Sequence, residues 1–335
     1  MKNFSIYFIL LFILLLLLFM VSLSIGSVEI PWESIVDIML GKDAKKSWQY
    51  IILEFRLPKA LVAILVGVAL AITGMFMQTL FRNPMADSYV LGISSGSSLG
   101  VALVLMGSAL LPPSVQHLAH QPLAVSISAI VGSLLVMNLI LLIAKRFTDT
   151  TSLLIVGLMF SSFTSALVSV LSYFTTAEEL QRYTFWSMGS LGNVSWIAIA
   201  LFVIAVLVSL LIGVRITKAL NALLLGEMYA QSLGVNIAVV RKKIVWITCV
   251  LCGVTTAIVG PIAFIGLAVP HISRMIFKTQ NHFILFFSNI LIGAVLLLFC
   301  DIVSHIPGTS VILPLNAITS MIGAPIVISL LLKRR

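Results

Sequence analysis

The chain has 335 residues, of which 60% are hydrophobic and only 9% are charged, with a formal net charge of +9. Soluble domains carry roughly 25% charged residues, so this composition excludes a soluble enzyme, a disordered protein and a secreted disulfide scaffold. It predicts an all-α polytopic membrane protein, in which the excess of basic residues marks cytoplasmic loops and not nucleic-acid binding.

The positions of the charged residues predict ten transmembrane helices, because a charge at the bilayer centre costs roughly 2.5–3.5 kcal/mol. A span needs about 20 residues, so the charge-free run 88–144 holds two of them. Gly260-Pro261 breaks the run 244–273 into a helix and a short returning segment. The predicted spans are 4–25, 60–81, 89–111, 123–144, 153–174, 194–214, 244–260, 264–277, 283–301 and 312–332.

The same charges predict the topology of a single transmembrane domain, 1–335, with both termini in the cytoplasm. Ten spans place Arg274, Lys278 and residues 333–335 inside, whereas nine spans would place them all outside, against the positive-inside rule. A cleaved signal peptide is the alternative for 4–25, but its apolar stretch is unusually long and no A-x-A-like site follows.

The two largest connections are expected on opposite sides of the membrane. Residues 26–58 lie outside and include a short interfacial helix near Trp32. Residues 215–243 form the longest cytoplasmic loop, read as two short helices with a turn at Gly234. This loop either lies in the lipid headgroups or docks in a groove on a soluble partner, and its residues alone leave both interpretations open.

Two blocks of spans follow the basic motifs Arg56-Leu-Pro-Lys59 and Arg241-Lys-Lys243. If the blocks correspond, spans two to five match spans seven to ten, and the odd offset of five spans inverts one block in the membrane. Inverted repeats with helices broken near the midplane are a common transporter architecture. The sequence therefore predicts an inverted repeat.

The predicted spans lack the groups that catalysis or ion coupling would need. No Asp, Glu, Lys or Arg lies clearly inside a span, although Asp301 is near an outer end, and no P-loop motif occurs. We therefore predict no catalytic residue, metal site or cofactor, with any ATP bound by partner subunits. The chain would be a transport subunit and not an enzyme. An ion-coupled secondary transporter without an ATPase is the alternative.

Several motifs then occur in a characteristic order. They are Arg56-Leu-Pro-Lys59, Gly74 with Gln78, Arg82-Asn-Pro-Met-Ala-Asp87, Leu91-Gly-Ile-Ser-Ser-Gly96, Trp186-Ser-Met-Gly-Ser-Leu191, Leu225-Gly-Glu with Ala230 and Leu233-Gly-Val235, Gly260-Pro-Ile-Ala-Phe, Pro270-His-Ile-Ser-Arg274 and Gly323-Ala-Pro325. This set resembles the FecCD-type permeases of bacterial ABC importers for iron–siderophores, haem and cobalamin, over nearly the whole chain.

The resemblance implies the partners and the location of the chain. They are a second permease, identical or different, two cytoplasmic ATPase subunits and an extracytoplasmic substrate-binding protein, in the bacterial cytoplasmic (inner) membrane. It implies ATPase coupling by Leu225, Gly226, Glu227, Ala230, Gln231, Leu233, Gly234 and Val235. It also implies binding-protein docking by Arg56, Lys59 and His305, and a translocation path near Trp186, Met188, Ser190, Leu191 and Asn316.

The chain departs from the family pattern at three of these positions. Lys59 and His305 stand where the family usually has Arg, and Lys lacks the planar fork that binds a carboxylate through two donors. Asn316 stands where Gly is common and is expected to place a polar amide in the path. Among cargoes, siderophore is the first expectation from family frequency, followed by haem and cobalamin.

Overall fold

This computed structural model describes residues 4–42, 44–87, 92–110, 112, 116, 118, 121–146, 150–192, 194–305 and 311–332. Within these ranges the regular structure is helical, apart from an isolated bridge between His305 and Ile312. The α-helices are α1 (Phe4–Ser24), α2 (Trp32–Met39), α3 (Lys46–Ile51), α4 (Leu57–Leu80), α5 (Ile93–Leu105), α6 (Pro122–Arg146), α7 (Thr150–Phe174), α8 (Ala177–Ser187), α9 (Trp196–Leu224), α10 (Glu227–Ser232), α11 (Ile237–Val259), α12 (Ile265–Phe277), α13 (His282–Ser304) and α14 (Leu315–Leu332). A π-helical turn (Ile52–Arg56) joins α3 to α4.

Side-chain caps fix the starts of the long helices. Ser195 accepts the N–H of Ala198 at 3.3 Å where α9 begins, and Asn236 accepts the N–H of Val239 at 3.2 Å where α11 begins. These oxygens bind donors that the first helical turn leaves without a backbone partner.

Each of the predicted spans overlaps a helix in the described part of the chain, although residues 89–91 and 111 of the third predicted span lie outside the described residues. Among the described residues, six helical stretches are long and apolar enough to cross a bilayer: α1, α3 continued through α4, α6, α7, α9 and α13. Helices α5, α12 and α14 are apolar but shorter, and α11 has 23 residues. The chain is a polytopic membrane protein, while ten crossings and cytoplasmic termini stay predictions.

The connection predicted at 215–243 is shorter than the sequence suggested. α9 continues to Leu224, and α11 already begins at Ile237. The connection between these two helices is therefore confined to 225–236, and it contains the short helix α10. One short helix replaces the two that were expected. Arg215 and Lys218 were read as the end of a span, but both are exposed on α9. Charged residues mark the edge of the bilayer without ending the helix.

The chain turns sharply at Gly260, where the sequence predicted a helix break. α11 ends at Val259, Gly260 has a φ of +80°, and Phe264 has a φ of +70° just before α12 begins. A Cβ at position 260 would lie 2.5 Å from the carbonyl oxygen of Trp186. Both the backbone angle and the space therefore require glycine there.

The helix contacts are repeated between the two predicted blocks around a buried central helix, α4, in which residues 66–80 are all buried. α4 packs against α13 as α11 packs against α6, and α5 packs against α7 as α12 packs against α14. α4 also contacts α12, as α11 contacts α5. Each of these contacts thus has a counterpart: if spans two to five are exchanged with spans seven to ten, each pair of packed helices becomes its counterpart. This is the packing expected of repeated units.

Small residues bring the crossing helices together at matching positions. A Cβ at Gly67 of α4 would lie 2.1 Å from the carbonyl oxygen of Gly293 of α13. In the equivalent crossing, a Cβ at Gly253 of α11 would lie 2.7 Å from Ser133 Oγ of α6. Such close approach of the backbones increases the van der Waals packing that holds helices together in lipid. The hydrophobic effect contributes little there, because the lipid tails are as apolar as the side chains.

Candidate functional site

A cavity of about 710 Å³ opens at the end of the bundle where α4 begins. This end is predicted to face outside, and we call the space the outer cavity. The predicted site residues that line it are Arg56, Lys59, Met188, Ser190, Leu191 and His305. The fold thus brings together predicted docking and path residues from separate parts of the sequence.

Lys59 lies at the centre of a polar network in the wall of the outer cavity. Its ammonium contacts Asp301 Oδ1 and His305 Nε2, each at 2.9 Å. His305 Nδ1 lies 2.9 Å from the carbonyl oxygen of Asp301, which can only accept a hydrogen bond. Nδ1 therefore carries the proton, and Nε2 accepts from Lys59. The Asp301 side chain is only 4% exposed, so this pair is shielded from water.

Arg56, which the resemblance predicts as a docking residue, makes hydrogen bonds inside the chain. The guanidinium donates to the carbonyl oxygens of Leu23 at 2.7 Å and Ser24 at 2.9 Å, and also to that of Val28. Arg56 is buried, and its charge is directed at the carbonyls that end α1, where the helix dipole favours a cation. Three hydrogen bonds of the guanidinium are therefore made inside the chain, and docking by Arg56 stays a prediction.

The predicted path residues form a junction between three connections. The N–H of Asn316 donates to the carbonyl of Met188 at 3.1 Å, and Ser190 N–H donates to that of Val259 at 2.9 Å. Asn316 Oδ1 accepts the N–H of Ala263 at 3.1 Å. The oxygen of the Asn316 amide thus ties the start of α14 to the turn before α12, and the place of this amide in the path stays a prediction.

Trp186 and Leu191 face the protein interior. Trp186 lies 6.1 Å from the ring of Tyr183 and packs on a small apolar cluster that includes Ala129 and Ala257. Leu191 is 3% exposed. Of this group, Met188 and Ser190 are the exposed residues. These two side chains are therefore the most accessible of the predicted path residues, while Leu191 lines the outer cavity from a largely buried position.

The opposite end of the bundle carries residues 225–236, which we call the inner segment. Its apolar side chains are unusually exposed: Met228 is 87% exposed, Leu225 65% and Leu233 58%. Ala230 faces inwards and is fully buried. An exposed apolar group of this kind is typical of a surface that contacts another protein or lipid.

Backbone geometry holds the inner segment in one conformation. At the end of α10, Val235 N–H donates to Ala230 O at 3.0 Å and Gly234 N–H donates to Gln231 O at 2.9 Å. Gly234 has a φ of +80°. These two bonds with a left-handed glycine form a Schellman motif, which satisfies carbonyls at the helix end. The turn that the sequence placed at Gly234 is therefore a helix C-cap.

Ion pairs attach the inner segment to both blocks of helices. Glu227 Oε1 lies 3.7 Å from Arg82, just after α4, and 3.7 Å from Arg241 in α11. Nearby, Asn221 Oδ1 accepts the N–H of His282, whose ring contacts Thr79 Oγ1 at 2.8 Å. The ends of α4, α9 and α13 are thus joined beside α10. No pattern in the sequence indicates the Asn221 and His282 contacts, because the partners lie far apart in the chain.

Comparison with known proteins identifies the family. The model of the FecCD transport family matches residues 14–333. The haemin transport system permease protein HmuU of Yersinia pestis is 32% identical, covering 97% of this chain and 95% of that protein. The vitamin B12 import system permease protein BtuC of Klebsiella pneumoniae is 36% identical, covering 96% of this chain and 92% of that protein.

A solved structure supports the same assignment. It is described as an inward-facing conformation of a metal-chelate type ABC transporter, and it has a TM-score of 0.84 and 29% identity to this chain. The match covers 98% of this chain and 99% of the other. From its helices, its motifs and these relatives, the chain belongs to the FecCD transport family.

Proposed function

We propose that this chain is the permease subunit of an ATP-binding-cassette importer in the bacterial cytoplasmic membrane. Two ATPase subunits would bind its cytoplasmic face, a second permease would pair with it, and an extracytoplasmic binding protein would deliver the cargo. Movement of the ATPases during the ATP cycle would alternate access to the path between the permeases. The names of the relatives support this class of function.

The inner segment carries the proposal. It exposes Met228, Leu225 and Leu233 on a helix that a Schellman cap and the Glu227 ion pairs hold in place. A rigid, apolar element at the predicted cytoplasmic end suits a groove on a soluble partner, because exposed apolar side chains gain most from being covered. Membership of a transport family favours this interpretation over a helix lying in the headgroups.

The cargo would be a bulky metal chelate admitted by shape. We retain siderophore as the first candidate from family frequency, while the relatives in Yersinia and Klebsiella are named for haemin and vitamin B12. At the outer end, Lys59 and His305 would contact the binding protein, because both line the outer cavity. Arg56 would support them only indirectly.

Reconstitution tests the proposal. The chain is co-expressed with the genes that neighbour its own, purified through a tag and placed in vesicles containing or lacking the co-purified ATPase. We expect uptake of a siderophore, haem or cobalamin probe only when ATPase, ATP and binding protein are all present. Uptake driven by a proton or sodium gradient with this chain alone would establish the secondary-transporter alternative and contradict the proposal.

A further inference from the structure

Lys59, which is expected to bind an acidic group of the docking partner, already has a counter-ion inside the chain. Lys59 contacts the carboxylate of Asp301 at 2.9 Å, and the two side chains are 17% and 4% exposed. The pair lies in the wall of the outer cavity, where an incoming group can reach it. Docking at Lys59 must therefore compete with a contact that the fold already provides.

We propose that Asp301 is an internal competitor of the docking partner. Its carboxylate holds Lys59 until an acidic side chain of the extracytoplasmic binding protein enters the outer cavity and replaces it. This inference rests on the docking role of Lys59 in the proposed function. It assigns Asp301 a regulatory task at the same site, namely to keep docking weak and reversible.

The geometry of Lys59 allows such an exchange. An ammonium group has three donors, and the structure shows one directed at Asp301 Oδ1 and one at His305 Nε2. A flexible four-carbon stem carries this point charge, so it can turn towards the cavity without moving the backbone. His305 remains an acceptor during the movement, because its Nδ1 proton stays bound to the Asp301 carbonyl.

Electrostatics explains why Asp301 would weaken docking. An arriving carboxylate approaches a like charge, and it must also leave Asp301 without its cation in a place that water barely reaches. Both effects oppose association, since a buried charge without a partner is unfavourable. Removing the charge of Asp301 while keeping its shape should therefore strengthen docking.

The test measures the affinity of the purified binding protein for the complete importer in nanodiscs, at low and high salt. The variants are Asp301→Asn, Lys59→Met and the double variant. Asp37→Asn is the matched control, because Asp37 pairs with Lys42 at 3.0 Å in an exposed ion pair on the same predicted side. It removes the same unit of charge without touching Lys59.

We expect Asp301→Asn to bind on the order of five- to tenfold more tightly than the unchanged chain at low salt, and Asp37→Asn to stay within about twofold. Lys59→Met should weaken docking. The double variant should bind more weakly than Asp301→Asn alone, because release of Lys59 from Asp301 contributes to the gain only when the lysine is present. Its neutral pair also provides a folded variant if Asp301→Asn alone is unstable.

Three results would overturn the inference. Asp301→Asn could bind no more tightly while Lys59→Met still weakens docking, or Asp37→Asn could strengthen docking as much as Asp301→Asn. If Lys59→Met leaves affinity unchanged, Lys59 does not dock, and the competitor role is lost with it. The same protein preparations are also placed in vesicles, where ATP-driven uptake is measured. Uptake reports on the importer function alone, so failure of the competitor role can be distinguished from failure of the proposed function.

Discussion

Arg56 donates to carbonyl oxygens at the end of α1, and this position determines what its replacement should do. Gly26 makes room for it, since a Cβ there would lie 2.7 Å from Arg56 Nη2. The side chain therefore joins α1 to the start of α4. A basic residue that is typical of docking thus has a structural task in this chain.

We expect Arg56→Gln to lower the stability of the protein in detergent. Hydrogen bonds from a charged donor contribute about 1.5–3 kcal/mol, and the buried carbonyls would lose theirs. Thermal unfolding with a fluorescent probe measures the change. Lys42→Gln is the control, because Lys42 is exposed and should change stability by no more than about 0.5 kcal/mol. A melting temperature for Arg56→Gln equal to that of the control would show that its carbonyl contacts do not stabilise the fold.

The sequence predicted better where individual residues lie than which residues they contact. The sequence indicated that Lys59, His305 and Asp301 lie near the outer end, and the structure brings all three together. It could not indicate that Asp301 binds Lys59, because pairing between α4 and α13 depends on how two distant helices cross. For the same reason the sequence could not indicate that Asn316 Oδ1 accepts the N–H of Ala263, which belongs to another connection.

At the scale of elements, the sequence located the turn at Gly234 but predicted two short helices where the structure has one. The backbone shows that this turn is a left-handed glycine at the end of α10. The long extension of α9 could not be read from the same stretch. Charged residues predict where lipid ends, whereas the helix continues through local backbone bonds and contacts with α13.

We expect Gly234→Ala to reduce ATPase association with the chain. Alanine at a φ of +80° costs about 1–2 kcal/mol, which would shift the inner segment away from its native conformation. Co-purification of the ATPase and its stimulated ATP hydrolysis are the measurements. Gly41 has a φ of +73° with open space around it, so Gly41→Ala imposes the same strain at the other end of the chain. Equal losses for both variants would contradict a coupling role for the inner segment.

At the scale of the whole molecule, composition determined the class of protein and the charges located its helices. The break at Gly260 was readable because glycine and proline act locally. It was harder to predict which helices pack against each other, because this depends on small residues such as Gly67 and Gly253 that contact residues of the other block. Topology with respect to the membrane still rests on the charge pattern.

Cysteine labelling tests that topology. The chain's own three cysteines are buried, so a membrane-impermeant maleimide should leave them unmodified. We expect Lys42→Cys to react in intact spheroplasts, and Met228→Cys and Gln280→Cys to react only in inverted vesicles. Labelling of Gln280→Cys from outside would favour nine spans over ten.

The contact between Gly67 and Gly293 limits how the chain can move. Each residue lies against the backbone of the other, so at this crossing point α4 and α13 have no side chains between them that would let one helix slide past the other. These helices belong to different blocks, and bending one past the other would break a close-packed interface. We therefore expect the chain to move as a rigid body. A passage would then open and close at the interface between this chain and a neighbouring subunit.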